Sequence, residues 1–156
     1  MIKLYLLSWR LVVILFLIFS NTAYADEVSG VWKTIDDKTH EVRSLVELTI
    51  ENDKLFGKII KIFPQPGQPE NAVCELCTGS LKNTPVLGLQ IVNGLSFKDG
   101  VWRDNTILDP DNGKTYNCRV WLEGDSLKVR GYIGFFYRTQ EWLRHASTQD
   151  TTDGSK

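Results

Sequence analysis

The feature that most constrains the fold is a two-residue hydrophobic period, which turn residues interrupt at short intervals from residue 28 onward. Val46, Leu48 and Ile50, for example, alternate with polar residues, which is the pattern of a strand with one buried face. Helical periodicity is nearly absent from this part of the sequence. The pattern therefore predicts an all-β protein.

Turn residues divide the alternating segments into about eight strands. Asp-Gly, Asn-Gly and Gly-Asp dipeptides tolerate positive φ in tight hairpins, so consecutive strands should pair antiparallel. The predicted strands are 30–34, two in a hairpin over 42–63, and 87–97, 101–108, 114–122, 127–133 and 138–145. A meander of this length exposes two edges unless it closes. We therefore predict an eight-stranded, antiparallel, up-and-down β-barrel.

The first 25 residues have the composition of a cleavable signal peptide. Basic residues flank the first apolar residues, and residues 11–19 are apolar and uncharged. Ala23-Tyr24-Ala25 is a small-x-small site, which places cleavage before Asp26. The uncharged run is shorter than the ~20 residues that a retained transmembrane helix requires. We expect a periplasmic or secreted protein with no stable membrane anchor after cleavage.

Cleavage leaves a chain of the usual size for one domain. We assign residues 26–145 to the barrel and residues 146–156 to a disordered polar tail. The whole chain has a formal net charge of −1, and its charges are scattered. Nucleic acid and anionic lipid both require a clustered basic face, so we expect no nucleic-acid partner and no anionic lipid as an obligate partner.

Three cysteines leave several pairings open. Cys74 and Cys77 form a C-x-x-C in a loop rich in proline and glycine, and Cys118 lies in a predicted strand. Outside the cytoplasm a structural disulfide is the usual state, either Cys74–Cys77 or one that includes Cys118. A redox site would favour a helix N-terminus over a loop. A zinc site would need about four ligands, and only Cys118, His40 and His145 could complete one. We predict no metal, and free thiols are the remaining alternative.

Gly30-Val31-Trp32 resembles the G-x-W that opens the first strand of lipocalin-type barrels, where the Trp plugs the closed end. In such barrels an Arg beyond the last strand usually covers that Trp, and Arg144 follows Trp142 near the end of the last predicted strand. The start of the first strand and the end of the last lie at the same end of an antiparallel barrel. We therefore predict a cation–π contact between Arg144 and Trp32, worth on the order of 1 kcal/mol.

An ordered set of short motifs resembles the secreted bacterial family catalogued as domain of unknown function 2147. The motifs are Gly30-x-Trp32, Leu55-x-Gly57-x-Ile59, Pro85-x-x-Gly88, Trp102 with Leu108-Asp109-Pro110, Gly113-Lys114-Thr115-Tyr116, Leu127-x-Val129-Arg130-Gly131-Tyr132 and Thr139-Gln140-x-Trp142. The resemblance implies a lipocalin-like periplasmic or secreted barrel, and it implies no established activity.

No motif predicts catalysis. Gly113-Lys114-Thr115 could end a phosphate-binding loop, but Leu108 stands where that motif requires Gly, and a strand follows in place of a helix. We interpret Asn112-Gly113 as a hairpin turn at positive φ, with Asp109 accepting hydrogen bonds from the turn. The two histidines, at positions 40 and 145, lie in no recognisable nucleophile context. We predict a non-enzymatic protein without a cofactor.

Aromatic residues concentrate in the second half of the chain, where they either pack the core or line a pocket. Face parity places Tyr116 on the inner face of its strand, and Gln140 and Arg138 on the same face as Trp142. Polar groups inside a barrel are costly unless paired or ligand-bound. We therefore predict a site for a small, partly apolar or amphipathic ligand. Its residues are Trp102, Tyr116, Arg138, Gln140 and Trp142, and residues 64–85 would form a lid near the mouth.

The alternative is a filled barrel that acts as an interaction module for another cell-envelope protein. The Cys74–Cys77 loop and the Phe135-Phe136-Tyr137 turn would then be the docking surfaces, because consecutive aromatics at an exposed turn are typical of contact sites. Face parity also places Arg130 and Tyr132 on the outer surface.

Overall fold

The computed structural model describes residues 27–146, which form one closed barrel of eight strands. The strands are β1 (Gly30–Ile35), β2 (Val42–Glu51), β3 (Lys54–Ile62), β4 (Gln90–Lys98), β5 (Val101–Asp109), β6 (Lys114–Glu123), β7 (Ser126–Ile133) and β8 (Phe136–Arg144). Each strand pairs antiparallel with the next, and β8 pairs with β1. The predicted all-β, up-and-down barrel is confirmed. The predicted signal peptide and most of the predicted tail lie outside the described residues.

The two ends of the barrel differ in how their strands are connected. At one end, called here the closed end, β2–β3, β4–β5 and β6–β7 are joined by the tight turns Asn52-Asp53, Asp99-Gly100 and Gly124-Asp125. Asn52, Asp53, Asp99 and both turn glycines have positive φ. At the other end, called the open end, the connections are residues 36–41, 63–89, 110–113 and 134–135. Two-residue turns therefore connect the strands at the closed end, and mostly longer connections surround the open end.

Trp32 and Arg144 seal the closed end. Trp32 is fully buried, and the guanidinium carbon of Arg144 lies 4.2 Å from the centre of its ring. The indole N–H donates to the carbonyl oxygen of Val28 at 2.9 Å. Arg144 donates to the carbonyl oxygens of Ser29, at 3.2 Å, and Glu27. The structure thus contains the contact predicted from the sequence.

The core is built from the inward faces of strands that alternate as predicted. In β6, Cys118 and Val120 are buried while Arg119 is exposed. In β7, Leu127 and Val129 are buried, and Arg130 and Tyr132 lie on the outer face. The parity that the sequence gives to these two strands is therefore correct.

The long β3–β4 connection carries the disulfide, which joins Cys74 to Cys77. Cys118 is buried and unpaired among residues 27–146, and burial raises the pKa of its thiol to about 12. The connection folds back on itself, since the amide of Cys74 donates to the carbonyl of Thr84 at 2.8 Å. It also packs against the β5–β6 turn, where a Cβ on Gly113 would lie 2.1 Å from the carbonyl oxygen of Leu76. The C-x-x-C segment is thus a loop at the open end of the barrel that a disulfide closes.

Two strands begin two or more residues away from their predicted starts. β4 begins at Gln90, because residues 87–89 still belong to the connection, where the amide of Gly88 donates to the carbonyl of Ile59 at 2.7 Å. β8 begins at Phe136, because Gly134 at φ 57 makes a tight turn that pairs Phe136 with Ile133. Within residues 27–146, no helix is long and apolar enough to cross a membrane.

Candidate functional site

A cavity of about 530 Å³ opens at the open end of the barrel. Aliphatic side chains from four strands line its interior: Ile59, Ile91, Ile107 and Val129. Val86 of the β3–β4 connection also lines it, whereas no residue of the predicted lid, 64–85, is among its lining residues. The barrel is therefore not filled by its own side chains at this end.

Trp142 lines this cavity and has an unpaired polar atom. Its side chain is 2% exposed, and its indole Nε1 has no hydrogen-bond partner among the described residues. A buried donor without a partner costs about 1–3 kcal/mol. Gln140, two residues earlier on the same face of β8, lines the cavity as well. The wall formed by β8 thus brings the Trp142 ring and the Gln140 amide to a cavity whose lining combines aliphatic side chains with polar ones.

A hydrogen-bonded network positions Tyr116 at the mouth. The side-chain amide of Asn112 donates to Asp109 Oδ2 at 2.8 Å and to the Tyr116 hydroxyl at 2.9 Å. Asp109 Oδ1 accepts from the amide of Asp111 at 3.0 Å, so Asp109 caps the turn as predicted. Burial raises the pKa of Asp109, and the nearby charge of Asp111 adds to this effect. Gly113 in this turn has positive φ and Asn112 does not, so the prediction for Asn112 is wrong; its side chain makes the two hydrogen bonds described above.

Charges around the mouth are paired with one another. Arg138 donates to Asp37 at 2.6 Å, and Arg43 lies 3.4 Å from Asp111 and 3.8 Å from Asp36. The backbone amides of residues 39 and 38 lower the pKa of Asp36, and Arg43 adds to this effect. Both rim arginines are therefore already neutralised, and the mouth offers little free positive charge to an anionic ligand.

Four of the five residues predicted to bind a ligand line this one cavity: Tyr116, Arg138, Gln140 and Trp142. Their role in binding stays a prediction. Trp102 does not line the cavity, which corrects its placement with the others. It is buried near the closed end, 5.1 Å from Phe97 between ring centres, and pairs with Val120. Since Val120 is four residues beyond Tyr116, Trp102 lies roughly 13 Å from the level of Tyr116, measured along the strand.

The aliphatic wall and part of the rim were not predicted from the sequence. Ile59 and Ile91 alternate on their strands like any other core residues, so their pattern does not distinguish the cavity from the packed core. Arg43 stands at the start of β2, 68 positions from the Asp111 carboxylate that it contacts. Only the closed barrel brings these residues to one mouth.

Residues 30–144 match a family model described as "Uncharacterized protein conserved in bacteria (DUF2147)". The chain belongs to this family. No curated protein matches the chain. The DUF2147 barrel is also similar to a solved structure, that of protein HP1028 from Helicobacter pylori, which is described as belonging to the lipocalin family. The two chains share 20% identity with a TM-score of 0.64, over 76% of this chain and 83% of the other. At this identity the likeness establishes a lipocalin-like fold.

Two motif glycines of the DUF2147 barrel, Gly57 and Gly113, are sites of close packing. A Cβ on Gly57 would lie 2.7 Å from Leu48 and 2.8 Å from Val92, so β3 can approach its neighbours only without a side chain there. Gly113 meets the β3–β4 connection in the same way. The Thr139-Gln140-x-Trp142 motif differs, since its last two named residues line the cavity.

Proposed function

We propose that this DUF2147 protein is an exported binding protein that holds a small amphipathic molecule in the cavity at the open end of its barrel. The observation that carries the proposal is a cavity of about 530 Å³ whose wall includes Trp142, a residue with a buried, unpaired N–H. Its volume falls within the ~300–1,000 Å³ of small-molecule sites. Eight-stranded barrels are wide enough to hold one small ligand.

The lining defines the chemistry of the ligand. An apolar body would contact Ile59, Ile91 and Ile107, and an oxygen acceptor would satisfy the Trp142 N–H. Gln140 can supply either a donor or an acceptor to the same group. Because Arg43 and Arg138 are paired with carboxylates, a neutral polar head fits the rim better than an anionic one. The ligand is therefore expected to be uncharged, with a polar atom reaching the β8 wall.

Binding without catalysis is favoured by the positions of the two histidines. His40 is exposed in the β1–β2 connection, and the backbone of His145 bonds to Val31 beyond the end of β8. Neither lines the cavity. The signal-peptide pattern and the Cys74–Cys77 disulfide support export to the periplasm or beyond. The alternative function, an interaction module for an envelope protein, assumes a barrel filled by its own side chains. The cavity does not fit this assumption.

Native mass spectrometry tests the proposal directly. The processed protein is purified from the envelope of cells that express the full chain, and its mass is compared before and after denaturation. A reproducible extra mass that denaturation removes supports the proposal and gives the mass of the ligand. A native mass equal to that of the bare chain, from several growth conditions, contradicts it.

A further inference from the structure

Exposed apolar side chains gather at the open end of the barrel. Ten large apolar residues are exposed among residues 27–146; four lie in the β3–β4 connection and four at the tip of the β7–β8 hairpin. The four at the hairpin, called here the aromatic tip, are Ile133, Phe135, Phe136 and Tyr137. Every exposed phenylalanine or tyrosine in this set belongs to the tip. Such a concentration marks a contact surface.

Polarity increases in steps along the hairpin, away from its tip. Phe135 is fully exposed at the turn, and Phe136 is 80% exposed. Behind them Tyr132 and Tyr137 pair across the strands, with ring centres 5.9 Å apart. The order from the tip is thus two phenylalanines and then two tyrosines.

Two arginines form the next step. Arg130 lies 4.3 Å from the ring centre of Tyr137, and Arg119, its partner in the β6–β7 register, lies 5.3 Å from that of Tyr132. Neither arginine forms an ion pair within the described part of the chain, although Lys128 pairs with a glutamate at 3.0 Å. Residues 126–140 contain no Asp or Glu. These two guanidiniums are therefore available to external anions.

We propose that the aromatic tip and the two arginines form a docking surface for a phospholipid bilayer. The phenylalanines would enter the boundary of the hydrocarbon, the tyrosines would lie at the headgroups, and the arginines would contact phosphates. Arg130 lies about 13 Å from the turn along the strand. Interfacial segments typically bury their apolar groups about 5–10 Å deep. If the hairpin is tilted against the membrane normal, the phenylalanines reach this depth while Arg130 stays at the level of the phosphates. The order of residue types follows the polarity gradient of a membrane interface, which a protein partner would not require.

Docking would also place the mouth of the cavity at the bilayer. Ile133 and Phe136 belong to the tip and line the cavity as well. An amphipathic molecule could then pass between cavity and membrane with little exposure to water. This consequence rests on the proposed function, but the docking surface itself does not.

Vesicle flotation tests the docking surface. The processed protein, from cells that express the full chain, is mixed with vesicles of phosphatidylethanolamine and phosphatidylglycerol. The wild type should float with the vesicles, and the double variant Phe135→Ser/Phe136→Ser should bind at least about tenfold more weakly, because it loses two inserted rings. The matched control is Ile60→Ser/Leu143→Ser, which removes exposed apolar side chains outside the tip and should float like the wild type.

Circular dichroism of each variant checks that the barrel is intact. The proposal is overturned if the folded wild type does not float, or if the Phe135→Ser/Phe136→Ser variant floats as well as the wild type. A wild type that stays in solution and crosslinks through position 135 to one envelope protein would assign the tip to a protein partner instead. Native mass spectra of the same samples test the cavity separately, so failure of the docking surface and failure of ligand binding are distinguishable.

Discussion

Replacing Trp142 by phenylalanine removes one hydrogen-bond donor from the wall of the cavity and keeps an aromatic ring there. The Trp142 side chain is 2% exposed, and its N–H is unpaired within residues 27–146. Phenylalanine relieves the desolvation cost of that N–H, about 1–3 kcal/mol, while the smaller ring loses packing of similar magnitude. We expect the free energy of unfolding of the empty protein to change by less than about 2 kcal/mol.

Trp142→Phe should also weaken ligand binding. In the complex, the ligand acceptor that Trp142 would have satisfied is buried without a partner, at a cost of about 1–3 kcal/mol. This cost corresponds to a dissociation constant roughly 5- to 150-fold larger. The assay is calorimetric titration with the molecule that native mass spectrometry identifies.

Trp102→Phe provides the matched control. Trp102 is also 2% exposed and has an unpaired indole N–H, but it does not line the cavity. We expect this variant to keep the wild-type affinity. Equal losses of affinity in the two variants, or an unchanged affinity in Trp142→Phe, would refute the assignment of Trp142 as the ligand donor.

Three further predictions concern stability. Arg144→Ala should lower the free energy of unfolding by on the order of 1–3 kcal/mol, because it removes the stacking on Trp32 and two hydrogen bonds to carbonyls; an unchanged urea midpoint would contradict this. Gly113→Ala should destabilise more than Gly100→Ala, since both have positive φ but only the first meets backbone, at 2.1 Å; equal midpoints would count against the packing. The folded pKa of Asp109 is raised above 3.8, so its contribution to stability is present below 3.8 and is lost as pH rises through the folded pKa. Asp109→Asn should remove this decline of stability with pH. Urea midpoints of the variant, measured from about pH 3 to about pH 6, check this. A decline as large as that of the wild type would contradict the reasoning.

Much of the fold could be predicted from local features of the sequence. Alternation and turn dipeptides gave the strands, and face parity put Cys118 inside and Arg119 outside. The G-x-W with a late arginine located the Trp32–Arg144 contact. The strand starts near Gln90 and Phe136 were less accurate, because they depend on how the neighbouring connections hydrogen-bond.

The candidate site was only partly predictable, because parity gives the face of a residue and not its height in the barrel. Trp102 and Trp142 both point inward and have the same pattern in the sequence, yet only Trp142 lines the cavity. The register of β5 against β6 shifts between Trp102 and Asn105, where Asp104 has a φ of 68. Such an irregularity changes which residues share a level, and the alternation around it remains ambiguous.

The sequence by itself determined the strand count, the antiparallel order and the position of the tight turns. These features depend on backbone pleating and on the φ preferences of neighbouring residues, so short segments of the sequence are sufficient to predict them. The tertiary structure decided that Cys74 pairs with Cys77 while Cys118 stays free, and that Ile59, Ile91 and Trp142 share one cavity. These outcomes depend on the stagger between strands that lie far apart in the chain, because closure of a barrel fixes all its registers together.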